Sequence, residues 1–281
     1  MKIGILGQGY VGSAIKIGFE KKYKTLNTFD KYKDSSSTVS SLEELTQSSN
    51  IIFICLPTPM KENGECDTGI VEKEITKIDQ YSTENKIIVI KSTIPPGTTK
   101  KINKKSNNID IVFNPEFLTE QNFIEDFKKQ NRIVLGGNKK SVQAIEKVYK
   151  IIFPTTKIIK TDSTTAEMIK YLTNTFLATK VSFANEIKMI CDKIDVDYDK
   201  VIEYSLYDKR LGNSHWAVPG PDGKLGFGGS CFPKDINALI YFAKEKGLDL
   251  DLLQSVWKTN LKVRPEKDWE DLKGRAVVKK D

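Results

Sequence analysis

The residue types able to do chemistry collect in a few short stretches. Gly226-Phe227-Gly228-Gly229-Ser230-Cys231-Phe232-Pro233-Lys234-Asp235 is the most telling. A glycine-rich loop runs into a thiol, and Pro233 is expected at the first position of the helix that follows. A thiol at a helix N-terminus has its thiolate stabilised by the aligned peptide dipoles, which makes a cysteine nucleophilic. Asp235 falls in the same first turn, near enough to act on a water beside the sulfur. Cys55, Cys66 and Cys191 lack such a frame and read as buried structural thiols. Lys170 and Asn174, four apart in a helical pattern that begins at Ser163, share one face and can reach one point in space. Alone they would read as an exposed lysine and a solvated asparagine. Beside the thiol loop they become candidates for holding developing negative charge.

A third stretch handles phosphate. Gly7-Gln8-Gly9-Tyr10-Val11-Gly12 lies between a compact apolar strand, Lys2–Leu6, and a helical pattern that runs to about Lys22. In that context Gly7 allows the tight turn, Gly9 lets main chain approach a pyrophosphate, and Gly12 lets helix pack on strand. The helix N-terminus turns its partial positive charge toward the phosphates. Asp30 closes the second strand, Thr25–Phe29, where a carboxylate accepts both ribose hydroxyls and repels a 2′-phosphate. The expected cofactor is therefore NAD rather than NADP. Three further strand ends carry prolines with hydroxyls or carboxylates: Cys55–Pro59, Lys91–Thr98 and Asn114–Glu120. In an open parallel sheet the ligand crevice lies beyond such ends.

Composition excludes other classes. The chain has 281 residues, 44 Lys+Arg against 37 Asp+Glu, and a formal charge of +7. Its single histidine, His215, leaves little for a polyhistidine metal site or a His-centred dyad. Four widely spaced cysteines suit reduced thiols and a cytoplasmic setting better than a disulfide frame. Arginine occurs only at 132, 210, 264 and 275, so the positive charge is a solvated lysine surface. No basic stripe interleaved with aromatics marks a nucleic-acid site, and no apolar run approaches the ~20 residues of a membrane span.

The elements that must position these groups alternate through the first half. Strands are expected at Lys2–Leu6, Thr25–Phe29, Ile51–Cys55, Lys86–Lys91, Ile109–Phe113 and Arg132–Leu135, with helices or loops between. The fold class is α/β: an N-terminal Rossmann-type, doubly wound parallel sheet over residues 1–160, followed by an all-helical domain over 161–263. The long helix from Ser163 has Thr164-Thr165-Ala166-Glu167 as its capping box. Ile169, Leu172, Phe176, Phe183, Ile187 and Ile190 have the spacing of a buried face. A last helix is expected from Leu248 to about Val263, and residues 264–281 form a tail.

Taken together, these stretches resemble the UDP-glucose/GDP-mannose dehydrogenase family of NAD-dependent nucleotide-sugar 6-dehydrogenases. The matches are Gly7–Gly12 with Tyr10-Val11, Pro57-Thr58-Pro59, Lys91-Ser92-Thr93 with Pro95–Thr99, Asn114–Leu118 with Glu120, Ala166-Glu167 through Asn174, and Gly228–Asp235, in family order. The resemblance implies a four-electron oxidation of a sugar C6 alcohol to a carboxylate with two NAD⁺, UDP-glucose being the leading substrate. Cys231 would form a thiohemiacetal and then a thioester. Lys170 and Asn174 would hold the oxyanion, Glu116 would be the general acid/base, and Thr93 and Asp235 would place the hydrolytic water. Thr58, Thr93, Glu120 and Lys234 match positions that contact NAD, alongside Gly7, Gly9, Tyr10, Val11, Gly12 and Asp30. Phe117, Leu118 and Gly228 match positions lining the sugar pocket, with Thr119 and Glu120 in the same segment. Arg210 matches an arginine that reaches the neighbouring subunit, which implies a homodimer through the helical domain.

Departures qualify the match. Gln121 stands where the family usually has glycine, and Asn213–Lys224 looks like a lengthened pocket loop. Family members continue into a third, nucleotide-binding domain, of which Leu272–Val278 resembles the first strand. Two alternatives to an active short-form dehydrogenase follow: an NAD-binding dimeric assembly protein, or a one-step β-hydroxyacid-type dehydrogenase. The last has no use for a thiolate in a glycine loop.

Overall fold

The computed structural model describes residues 1–279. In chain order the elements are β1 (Ile3–Leu6), α1 (Tyr10–Phe19), β2 (Leu26–Phe29), α2 (Leu42–Gln47), β3 (Ile51–Ile54), α3 (Gly69–Tyr81), β4 (Lys86–Ile90), α4 (Thr98–Asn103), β5 (Ile109–Phe113), α5 (Phe123–Lys128), β6 (Arg132–Gly136), α6 (Lys139–Ile152) and β7 (Lys157–Thr161). Then follow α7 (Ser163–Lys193), α8 (Tyr198–Ser205), α9 (Phe232–Glu245) and α10 (Asp251–Val263). The described residues divide into two compact units, one of residues 1–58 and 68–170, the other of residues 59–67 and 171 onward.

The first unit is built on a seven-stranded sheet of order β2-β1-β3-β4-β5-β6-β7. β1 and β3 are buried at every position, as strands covered on both faces must be. Alternate side chains feed two cores: Ile5, Phe53, Val112 and Tyr149 pack on one face, Ile52, Ile54, Ile90 and Phe113 on the other. The sheet is not uniformly parallel as expected, because β6 meets β5 antiparallel, through Phe113 and Gly136. It also gains β7, parallel to β6. β7 escapes a hydrophobicity reading because it lies at the sheet edge, where Lys157 and Lys160 face solvent.

At the start of α7 the expected capping box is not made. Asp162 caps the helix, its carboxylate accepting from the Thr165 main-chain N–H at 2.9 Å. Glu167 instead turns inward, fully buried, and accepts from Gly97 N at 2.5 Å and Thr99 N at 2.8 Å. Gly97 has no side chain to cap α4, so Glu167 supplies the acceptor for its first amides. Burial raises the Glu167 carboxyl above its ordinary range, against the opposing effect of these hydrogen bonds.

The second unit is helical and corrects two expectations. The face of α7 carrying Leu172, Phe176, Phe183 and Ile190 is exposed, by 62%, 60%, 51% and 55% respectively, instead of buried. What α7 buries inside this unit is mostly small or polar, including Asn174, Thr175, Ala178, Ser182, Ala184 and Asn185, with Tyr171 as the large exception. Such small side chains let the neighbouring elements approach closely. Leu272–Val277 is not a strand but a tight turn closed by Ala276 N to Leu272 O at 2.9 Å, with Gly274 at φ +78°. Its Val277 makes a parallel bridge to Met60 in the 59–67 segment. Arg264 and Trp269, in the stretch after α10, are each 1% exposed and pack within the second unit. Residues 280 and 281 of the expected tail lie outside the described residues.

Candidate functional site

In the first unit the glycine turn has two kinds of glycine. Gly7 sits at φ +91° with the Cys55 carbonyl against it, and a Cβ on Gly12 would collide with the Gly7 carbonyl oxygen. These two are demanded by backbone conformation and packing. Gly9 is not: its φ is −71°, and a Cβ there would meet no described atom within 4 Å. The missing Cβ leaves open space at the N-terminus of α1, which has no side-chain cap. The Gln8 main-chain N–H donates to the Asp30 carboxylate at 2.7 Å, which also accepts from Tyr32 N at 2.9 Å. Asp30 is thereby held at the end of β2. Tyr10 and Val11 open α1, Tyr10 edge-on to Phe123 at 6.4 Å. This constellation fits a dinucleotide: turn, uncapped helix start and ribose carboxylate all come from one βαβ segment.

Thr58 and Thr93 are brought together, the Thr58 hydroxyl donating to the Thr93 carbonyl at 2.7 Å. Both are buried, and Ser92 Oγ donates to Leu56 O at 2.6 Å beside them. The loop after β4 is therefore tied to the loop after β3. The loop after β5 is organised by Glu116. Its carboxylate accepts from Leu118 N at 2.7 Å and pairs with Lys170 Nζ at 3.1 Å, and Lys170 also donates to the Glu116 main-chain oxygen at 2.6 Å. Glu116, Phe117, Leu118 and Thr119 line a cavity of about 300 Å³ together with Lys91 and Arg132. Thr119 is tied to Asp126 by main chain and hydroxyl, and half-buried Glu120 follows it.

Three residues here carried no assigned role in the sequence reading. Lys91 is buried and donates to Asn114 Oδ1 at 3.1 Å, and Tyr149 donates to the same oxygen at 2.5 Å. Burial pushes the Lys91 ammonium down to about 8, with nearby Cys55 and Glu116 resisting the fall. Cys55 goes the other way, up to about 12 through burial, which fits an inert thiol. Arg132 lies 4.3 Å over the Phe117 ring. A lysine ending the apolar run of β4 was the visible signal for Lys91. Arg132 at a strand start gave none.

In the second unit Cys231 is the N-cap residue of α9, with Phe232 first in the helix and Pro233 second, one place later than expected. Asp235, 1% exposed, accepts from Asn174 Nδ2 at 2.6 Å and is paired with Lys234. Burial alone would lower the Lys234 ammonium, but Asp235 and the sulfurs of Cys231 and Cys66 outweigh it and raise it. Nucleophile candidate, amide, carboxylate and ammonium thus belong to the first turn of α9 and one position of α7. Gly228 packs against the Arg264 guanidinium. Arg210 stands apart on an exposed turn after α8, its guanidinium paired with Asp208 at 2.5 Å. Among the described residues no cluster of His, Cys, Asp and Glu is suited to a metal, and no helix is long and apolar enough to cross a membrane.

The β3, β4 and β5 loops and the α9 thiol lie within the segments matched by two family models. Residues 31–153 match the NAD binding domain of the UDP-glucose/GDP-mannose dehydrogenase family, and residues 164–262 match its central domain. A UDP-glucose 6-dehydrogenase of Rickettsia bellii is 35% identical over 99% of this chain and 72% of its own length. The chain belongs to the UDP-glucose/GDP-mannose dehydrogenase family. A Bacillus subtilis UDP-glucose 6-dehydrogenase is 39% identical over 78% of this chain, which spans about half (48%) of that relative. The UDP-glucose dehydrogenase of the hyperthermophilic archaeon Pyrobaculum islandicum superposes with a TM-score of 0.84 at 30% identity, covering 92% of this chain and 67% of that one. The matched N-terminal model is an NAD binding domain, so the cofactor is NAD.

Proposed function

We propose that the chain oxidises the C6 alcohol of a nucleotide sugar, UDP-glucose in the first instance, to the carboxylate, with two NAD⁺ consumed per sugar. The observation that carries the reading is Cys231 at the N-cap of α9 behind a glycine loop, with Asp235 and Lys234 in the same helical turn. Bound NAD⁺ supplies the hydride acceptor for both oxidations, held by Gly7, Gly9 and Gly12, with Asp30 on a ribose and Tyr10, Val11, Thr58, Thr93, Glu120 and Lys234 as further contacts.

The chain's own groups do the rest. Glu116 takes the proton of the C6 hydroxyl, a role for which Leu118 N and Lys170 hold its carboxylate in place. Cys231, as thiolate at the helix N-terminus, adds to the aldehyde carbon to form a thiohemiacetal. Lys170 and Asn174 stabilise its oxygen. Loss of a second hydride gives the thioester, and a water placed by Thr93 and Asp235 cleaves it, restoring the thiol and leaving the uronate. Phe117, Leu118, Thr119, Glu120 and Gly228 line the sugar. The large apolar residues exposed on α7 support a homodimer, in which Arg210 reaches the partner's substrate. We place the reaction in the cytoplasm, where a catalytic thiol stays reduced.

The test is the ratio of NADH formed to sugar consumed by the purified chain on UDP-glucose, GDP-mannose and UDP-N-acetyl sugars. A ratio near two that collapses in Cys231→Ala is expected. One NADH per substrate with indifference to Cys231, or NAD binding with no turnover on any sugar, overturns the reading.

A further inference from the structure

The loop that delivers Cys231 cannot hold itself. Gly226 and Gly229 adopt φ of +65° and +70°, and a run of glycines loses more freedom on ordering than any other sequence. Its rigidity has to come from neighbours inside the second unit, and one neighbour makes a two-way bond. Asn260 on α10, fully buried, accepts from Phe227 N at 2.7 Å and donates from Nδ2 to Phe227 O at 3.0 Å. Its amide stands in for the strand that this loop lacks. Asn185 on α7 accepts from Gly226 N at 3.1 Å, and Arg264 donates to Leu225 O at 3.2 Å while bridging Asp222 and Asp268. The Phe227 ring then meets Phe232, the residue after Cys231, edge-on at 6.0 Å, and Trp257 at 6.2 Å.

We infer that Asn260 is a positioning residue for Cys231, fixing the Phe227 main chain and, through the Phe227–Phe232 contact, the place of the thiol at the start of α9. A side-chain amide is the group this task needs, since it offers one acceptor and one donor in a plane and matches a peptide edge on both counts. A displacement of about 1 Å in a reacting group is enough to cost roughly a hundredfold in rate. The inference rests on the reading of Cys231 as nucleophile, so its test uses a readout of the thiol that needs no sugar.

The experiment compares the whole chain with Asn260→Ala, Asn260→Asp and Val256→Ala, the last a packing control one turn earlier on α10. Iodoacetamide alkylation of Cys231 is followed between pH 6 and 9 by mass spectrometry of its peptide. Asn260→Ala is expected to slow alkylation at pH 7 by about tenfold, as the thiol leaves the helix terminus and its profile moves about one unit up in pH. Asn260→Asp keeps the shape and can donate to Phe227 O only while its new carboxyl is protonated. Its alkylation rate relative to the unchanged protein therefore recovers as pH falls, which decides the matter even where Asn260→Ala is poorly folded. Val256→Ala lowers the melting temperature and leaves the alkylation profile in place. Asn260 variants with the profile of the unchanged protein overturn the inference and leave the reading of Cys231 standing. Turnover that survives Cys231→Ala removes that reading instead.

Discussion

Lys170 Nζ lies 3.1 Å from the Glu116 carboxylate and 2.6 Å from the Glu116 main-chain oxygen, with both side chains almost wholly buried. A buried pair costs desolvation to assemble, so its two members protect each other more than they stabilise the fold. Lys170→Met leaves an uncompensated carboxylate in the interior and is expected to destabilise the chain by about 3–5 kcal/mol. Adding Glu116→Gln to that variant removes the buried charge and should restore more than half of the loss. Urea unfolding of the two single variants and the double variant checks this, and equal losses in Lys170→Met and the double variant would disprove it. Turnover is expected to be lost in all three.

The glycine turn separates packing from binding. Gly12→Ala drives a Cβ into the Gly7 carbonyl, main chain against main chain, and should cost about 1–3 kcal/mol as an overpacking substitution. Gly9→Ala meets no described atom and has an ordinary φ, so its melting temperature should match that of the unchanged protein. NAD affinity, by contrast, should fall at least tenfold in Gly9→Ala. Calorimetric titration with NAD⁺ beside thermal melts distinguishes the two. A normal affinity in Gly9→Ala would mean that the cofactor does not approach the turn.

Lys91 makes stability depend on pH in the alkaline range. Its ammonium titrates near 8 in the folded chain and near 10.4 when unfolded. Below 8 both states hold the proton, and between the two values the unfolded state holds more. Stability therefore rises with pH across this window, by an amount on the order of a few kcal/mol. Lys91→Met lacks the group and should lack the rise. Urea midpoints at pH 7.5 and pH 10 for both proteins measure the difference, and parallel behaviour would contradict the placement of Lys91.

What is local is legible in the sequence, and what depends on a distant partner is not. The glycine turn and the helix start after Cys231 are legible as local strand–turn–helix and loop–helix patterns, and Asp30 as the acidic end of β2, although its partner Gln8 N lies 22 residues back. The Lys170/Asn174 spacing was legible, but not that each faces a different carboxylate, Glu116 for one and Asp235 for the other. Glu167 looked like a capping-box residue because its spacing from Thr164 is right. The donors to its carboxylate, the amides of Gly97 and Thr99, lie 70 and 68 residues away in sequence, and no local pattern reports that. β7 was missed because an edge strand with lysines outward has too little apolar signal.

The exposed apolar face of α7 predicts self-association. Leu172, Phe176, Phe183 and Ile190 have the period of a buried helix face, yet each is more than half exposed in the single chain. The spacing predicts a buried face, and within one chain these four positions stay in water. Burying four such side chains contributes roughly 1.5–3 kcal/mol each, so an exposed face of this kind favours a second copy of itself. Phe176→Glu with Phe183→Glu places charges where the apolar face would meet its copy and should halve the mass seen by sedimentation velocity, from dimer to monomer. The inward face, with Asn174, Ala178 and Asn185, is untouched, so the far-ultraviolet circular dichroism spectrum should not change. If Arg210 acts across the dimer, turnover falls with the loss of dimer while NAD affinity holds. A chain that is monomeric before any substitution would exclude both the dimer and the trans role of Arg210.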